Sequence, residues 1–195
     1  MESCQAAYDR LCLPEAEVSA HWLISAQGAA HPLVDETARA WHAGAGAWGG
    51  QGDVNSRSIG IELDNTGSHP FAAPQMDALE DLLRKVMARW DIPAHAVIGH
   101  SDMAPIRKID PGPRFDWQRL ARQGLSVWPR AGALADPARF RAAALAFGYP
   151  DVDDAALLSA FRLRFRPCHT GPLDGIDAGM ACDLAARFGL PQSAA

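Results

Sequence analysis

The stretch Gly99–Trp117, reading GHSDMAPIRKIDPGPRFDW, constrains this chain more than any other. It holds His100, Asp102, Asp110, the pair Arg107-Lys108 and the prolines Pro105, Pro111 and Pro113. Proline fixes its own φ and removes a backbone donor, so the segment reads as a stiffened loop. The apolar run Ala96-Val97-Ile98 in front of it reads as the end of a strand, which puts His100 at a strand end. His100 and Asp110 are ten residues apart, so no helix face presents both and a loop must fold back to join them. Asp110 precedes a proline and is biased to extended backbone, which suits a carboxylate held toward a metal. A histidine, an aspartate and a lysine so placed are the equipment of a metal-dependent hydrolytic site. Taken alone, the same residues also read as a histidine bonded to backbone, aspartates in turns and a solvated basic pair.

The surrounding chain alternates short strand patterns with helices, which predicts an α/β fold with a central mixed β-sheet flanked by helices. Residues 2–12 predict a short helix ended by Pro14. Val18–Ile24 (VSAHWLI) and Ser58–Leu63 (SIGIEL) predict strands, and residues 31–34 a returning strand after a turn at Gly28. In the second strand Ser58, Gly60 and Glu62 share one face, so a carboxylate stands beside two very small residues. That implies space on that face, or simply a solvated strand edge. Residues 38–52 are too glycine-rich for an element interior and read as a loop carrying Trp41, His42 and Trp48. Pro74–Trp90 predicts the longest helix, with Met76, Leu79, Leu82, Leu83 and Val86 in helical period and acidic residues preceding basic ones. Residues 118–123 predict a short closing helix.

After a linker-like segment, residues 126–135, three apolar stripes predict a three-helix unit over 136–190. The helices are Pro137–Phe147, Asp154–Phe165 and Asp177–Phe188; Arg162, Arg164 and Arg166 read as solvated surface. The expected organisation is therefore a domain over 1–125, a linker at 126–135 and a small helical domain over 136–190.

The 195 residues carry a net charge of −5, which gives no electrostatic footprint for nucleic acid. No apolar run is long enough for a membrane span. The first residues carry neither a basic nor an apolar leader region, so the chain as written is expected in the cytoplasm. An upstream extension would move that expectation to the periplasm or envelope. Cys4, Cys12, Cys168 and Cys182 form no C-x-x-C pair and are expected to be reduced and structural. A monomer is expected.

Four motifs give the loop its context: VSAHWLI at 18–24, AWHAG at 40–44, NSRSIGIEL at 55–63 and GHSDMAPIRKIDPGPRFDW at 99–117. In this order and spacing they resemble the type-2 N-acetylmuramoyl-L-alanine amidases, zinc enzymes that cut peptidoglycan or muropeptides. The resemblance spans roughly residues 1–125. It implies that His100 and Asp110 are zinc ligands and that Glu62 is the general base. Lys108 is the implied oxyanion stabiliser, and Trp41, His42 and Arg107 are the implied substrate contacts, with Trp48 in the same groove. The implied reaction is hydrolysis of the amide between the lactyl group of N-acetylmuramic acid and L-alanine. Residues 131–190 resemble the helical peptidoglycan-binding module often joined to such enzymes. His21 is expected in the core or behind the ligands.

The family's first zinc ligand, a histidine closing an early central strand, lies upstream of the region matched by residues 1–24. The resemblance therefore places no residue of this chain on that ligand, and the first strand is expected to be missing. A start assigned too late, a truncated inactive product, or completion by another histidine such as His21 would each account for this. The competing class is a non-catalytic peptidoglycan- or muropeptide-binding protein with an incomplete zinc site.

Overall fold

The computed structural model describes residues 4–189. It has the expected α/β architecture, a mixed three-stranded sheet with helices, followed by three further helices. Two compact units are distinguishable. One comprises the chain up to Ala45 with Asp53–Ile92, the other Gly46–Gly52 with the chain from Pro93 onward.

In the first unit β1 (Trp22–Ile24) is central. It pairs antiparallel with β2 (Ala30–Pro32) and parallel with β3 (Ile61–Leu63), in the order β2-β1-β3. All three strands are shorter than their sequence patterns because pairing, not propensity, sets their length. At the start of β1, His21 and Trp22 donate their N–H groups to a single acceptor, Gly60 O, at 3.0 and 3.1 Å. Helix α1 (Cys4–Cys12) closes one face of the sheet, burying Ala7 and Leu11 with Ala20 and Leu23. Residues 2 and 3 of the helix expected at 2–12 lie outside the described residues.

Helix α2 (Ala73–Trp90) buries the expected stripe of Met76, Leu79, Leu82, Leu83 and Val86. Its buried Gln75 donates to Ile24 O at 3.0 Å and Asp64 O at 3.2 Å, fastening the ends of β1 and β3 to the helix. The β1–β2 turn lies against the start of α2. A Cβ on Gly28, whose φ is +88°, would meet Pro74 O at 2.6 Å.

In the second unit α3 (His100–Met103) and α4 (Trp117–Arg122) precede α5 (Phe140–Phe147), α6 (Asp154–Phe165) and α7 (Gly175–Phe188). Aspartates cap the ends where the sequence offers them. Asp153 accepts from Ala156 N–H at 2.9 Å, and Asp174 accepts from Ile176 and Asp177 N–H at 2.9 and 3.0 Å. The last three helices enclose Phe140, Phe147, Leu157, Phe161, Phe165 and Leu184. Residues 126–129 are not a bare connection: Val127 joins this core and the Trp128 ring lies 5.7 Å from Phe165.

Three sequence expectations are corrected here. Residues 96–99 are not a strand: Ala94–Ala96 is a 3-10 turn, and Val97 O accepts from the Arg164 guanidinium instead of a ladder partner. His100 consequently opens a helix rather than ending a strand. Second, Arg162, Arg164 and Arg166 are not solvated; Arg162 and Arg164 are buried and the Arg166 side chain is only 12% exposed. Third, Trp48, read with Trp41 and His42 as part of one loop, divides from them and belongs to the second unit. Its ring packs edge-on against Phe147 and Tyr149, at 5.5 and 5.2 Å between centroids, within the helical core.

Candidate functional site

The Gly99–Trp117 loop belongs to the second unit, and its backbone folds back on itself as the prolines suggest. Ser101 N–H donates to Asp110 O at 2.9 Å, tying the start of α3 to the residue ten positions from His100. The fold-back is tight. A Cβ on Gly99 would meet Pro111 Cδ at 2.8 Å and Trp117 Cζ2 at 3.1 Å, so only glycine fits there. Arg107 and Lys108 both donate their N–H groups to Ala104 O at 3.0 Å, closing the turn between α3 and Asp110.

Within this turn His100 Nδ1 and Asp110 Oδ2 face each other at 3.0 Å, and Arg107 approaches His100 Nε2 at 3.4 Å. Desolvation alone would raise the Asp110 carboxyl. The hydrogen bond and attraction of His100, together with the Lys108 charge, outweigh it and hold the carboxyl below its ordinary range. The structure thus brings His100, Arg107, Lys108 and Asp110 together. Of these, the nitrogen and the ionised carboxylate are the pair able to hold a metal.

Behind the loop lies a buried network that sequence reading did not find. Asp102, read as a turn residue, is fully buried. Its Oδ2 accepts from Gly99 N–H at 2.8 Å and from Arg164 at 2.9 Å, and its Oδ1 accepts from the Tyr149 hydroxyl at 2.6 Å. Burial and the adjacent Asp102 charge push the Tyr149 hydroxyl well above the usual phenol range, so it remains a proton donor. A signal existed for Arg164. It falls on the α6 stripe defined by Leu157, Ala160 and Phe161, where an arginine needs a buried counter-charge.

Glu62, His42 and Trp41 belong to the first unit. Glu62 is half-buried at the middle of β3, opposite Leu23 of β1. The space expected beside it is taken by an imidazole. A Cβ on Gly60 would lie 2.3 Å from His42 Cγ, so the ring rests directly on the glycine. His42 and Ala43 are held at the backbone by buried Asn55, whose Oδ1 accepts both N–H groups at 3.0 and 2.8 Å. Trp41 is 55% exposed, with the Arg39 guanidinium 4.3 Å from its ring centre. His21 is a core residue. Its Nδ1 accepts from Gly60 N–H at 2.9 Å and its Nε2 faces Ala38 O at 3.1 Å, so both ring nitrogens are committed to backbone. It does not complete a metal site.

Among the described residues one further cluster has ligand-like spacing, His169, Asp174 and Asp177. Its carboxylates already accept from Arg162 and Arg166, with Arg166 2.7 Å from each of them. Two guanidiniums on two carboxylates leave little charge for a cation, and the cluster is an ion-pair network at the start of α7. All four cysteines are free thiols. No helix among the described residues is long and apolar enough to cross a membrane.

The family model described as N-acetylmuramoyl-L-alanine amidase, type 2, matches residues 1–113. The N-acetylmuramoyl-L-alanine amidase AmiD of Escherichia coli K12 is 34% identical over 212 residues, covering 91% of this chain and 77% of its own length. The 1,6-anhydro-N-acetylmuramyl-L-alanine amidase AmpD of Haemophilus influenzae is 40% identical over 106 residues, which are 54% of this chain and 58% of that protein. Among solved structures, E. coli AmiD in complex with the substrate anhydro-N-acetylmuramic acid-L-Ala-D-gamma-Glu-L-Lys is similar with a TM-score of 0.88 and 33% identity, covering 96% of this chain and 86% of that one. AmpDH3 from Pseudomonas aeruginosa gives 0.86 and 30%, over 94% of this chain and 87% of its own. With its four motifs, its mixed sheet and a family match over more than half its length, the chain belongs to the type-2 N-acetylmuramoyl-L-alanine amidase family.

Proposed function

We infer that this chain hydrolyses the amide between the lactyl group of N-acetylmuramic acid and L-alanine in muropeptides or peptidoglycan. The observation that carries the reading is the His100–Asp110 pair, with facing donor atoms 3.0 Å apart beside Lys108, inside a family match.

His100 and Asp110 suit a zinc ion as two of the three protein ligands that a catalytic zinc site takes. An edge of a tetrahedral nitrogen–oxygen site measures about 3.3 Å for bonds of about 2.0 Å, close to the donor separation here. The depressed Asp110 carboxyl supplies the anionic ligand at neutral pH. His100 and Asp110 would hold the ion, which when bound supplies Lewis acidity and brings the pKa of a water to about 7.

The chain's own residues would do the rest. Glu62 takes the proton of the attacking water and returns it to the leaving amine of L-alanine, so the carboxylate ends unchanged. The Lys108 ammonium meets the negative charge that grows on the lactyl carbonyl oxygen and is worth most in the transition state. His42, Trp41 and Arg107 contact the muropeptide, the exposed indole offering an apolar face to a sugar ring. Helices α5–α7 are proposed as the wall-binding module. The four free thiols favour a reducing compartment.

The test is peptide release from an anhydromuramoyl peptide by purified protein, with zinc measured in the same sample. Glu62→Ala is expected to lower release by about 10²–10⁴-fold. Release insensitive to both Glu62→Ala and chelation would refute the mechanism. Tight muropeptide binding with neither zinc nor release would establish a binding protein instead.

A further inference from the structure

We propose that Arg164, on α6 of the C-terminal helical unit, is a positioning residue for the His100–Asp110 pair. For its catalytic readout the proposal rests on the amidase reading; for its structural readout it does not.

The guanidinium of Arg164 is 1% exposed and touches the loop on both sides of His100. It donates to Val97 O at 2.9 Å ahead of the histidine and to Asp102 Oδ2 at 2.9 Å behind it. It also donates to Ser126 Oγ at 3.1 Å and lies 4.4 Å from the ring centre of Trp117, the last residue of the loop. One planar group thus grips residues 97, 102 and 117 at once. A guanidinium can do this because its donors are fixed in a fork and its face stacks on aromatics; an ammonium cannot. Asp102 passes the constraint on. It is held on one oxygen by Tyr149 at 2.6 Å and on the other by Arg164 and by Gly99 N–H at 2.8 Å. A carboxylate held from three directions cannot rotate. His100 follows Gly99, the donor at that carboxylate, and precedes Ser101, whose N–H is fixed on Asp110 O.

Stability alone does not explain such a pair, because buried ion pairs are often no more stabilising than apolar replacements. What the pair supplies is a single geometry for a short helix of four residues that could not hold itself. The expected consequence is that the helical unit, read from sequence only as a wall-binding appendage, also sets the pose of the loop.

The experiment compares full-length wild type, Arg164→Lys and Tyr149→Phe by amide hydrogen exchange, zinc affinity and steady-state kinetics. In Arg164→Lys the Gly99–Met103 amides are expected to exchange about tenfold faster while α5 and α7 keep their protection. Zinc binding weakens, and kcat falls about tenfold or more with KM little changed, as a misplaced catalytic geometry requires. Tyr149→Phe moves every readout in the same direction by a smaller factor. Unchanged exchange at Gly99–Met103 in both folded variants would overturn the proposal. So would global unfolding of Tyr149→Phe, since the network would then hold the fold and not the loop. If the wild type releases no peptide, the amidase reading fails, and exchange and zinc affinity still decide the role of Arg164.

Discussion

Gly60→Ala is the smallest perturbation that reaches the candidate site of the first unit, and its size follows from the contacts. The new methyl would sit 2.3, 2.5 and 2.7 Å from Cγ, Cδ2 and Nδ1 of His42. Carbon atoms rest about 3.5–4.0 Å apart, so the ring must retreat by more than an ångström. Gly60 cannot retreat instead. Its N–H donates to His21 Nδ1, and its carbonyl accepts from His21 and Trp22 N–H. Nor can the His42 backbone, which Asn55 holds at 3.0 Å. The imidazole must leave its rotamer or β3 must shift, and overpacking of this kind costs about 1–3 kcal/mol. For a protein of this size that lowers the melting temperature by roughly 2–12 °C. Release of L-alanyl peptide falls about 10–100-fold, because the displaced ring is a proposed substrate contact and Glu62 shares the strand. A double-mutant cycle with His42→Ala isolates the cause, since it removes all three clashing atoms. The stability cost of Gly60→Ala is expected to shrink by about 1 kcal/mol or more in that background. An equal cost with and without the imidazole would refute the steric argument.

Two further outcomes follow from the ion pairs. Glu36 accepts from Trp22 at 2.9 Å, Trp90 at 2.6 Å and Arg89; desolvation would raise its carboxyl, but these bonds hold it below the ordinary 4.5. A depressed carboxyl contributes stability above its unfolded pKa and loses it as pH falls through the folded value. Thermal melts of wild type and Glu36→Gln should therefore differ at neutral pH and draw together as pH falls below the ordinary 4.5 and through the depressed folded value; parallel curves would be contrary to this. Asp177 is fully buried between Arg162 and Arg166, so Asp177→Ala leaves buried Arg162 with backbone carbonyls and no carboxylate, while Arg166 keeps Asp174, and should cost about 3–5 kcal/mol, or roughly 6–20 °C in melting temperature. A loss below about 1 kcal/mol in denaturant titration would show that Arg162 finds solvent or another partner.

Periodicity exposed the parts of this fold that local rules govern. Helix α2 runs from Ala73 to Trp90, one residue from its expected start, because its apolar stripe, its proline in the first turn and its charge order agree. The loop was legible for the same reason. Proline and glycine restrict backbone so strongly that a fold-back between Gly99 and Pro111 leaves a sequence trace. Strand ends were not legible. Val18–Ile24 has strand composition throughout, yet ladder pairing covers only Trp22–Ile24, since a ladder needs a partner and composition does not name one. His21 shows the same limit. Its type and strand position admitted a ligand, and only the backbone groups of Gly60 and Ala38, 39 and 17 residues away, decide its role.

The three arginines of α6 show where a local reading fails and what would have corrected it. Arg162, Arg164 and Arg166 alternate, and alternation on a helix reads as charge spread around a wet surface. Helical spacing says otherwise. Residues four apart share a face, so Arg162 and Arg166 act together, and both reach Asp177. Arg164 falls between them on the opposite side, seven residues after Leu157 and three after Phe161, both fully buried. An arginine on that stripe must find a buried anion. Asp102, two residues after His100 in the loop, is the one it finds. An ionic requirement on the last part of the chain is thus met inside the candidate site. The same pairing that keeps Arg164 buried fixes the backbone from which His100 projects, so packing of the helical unit and geometry of the loop are parts of one constraint.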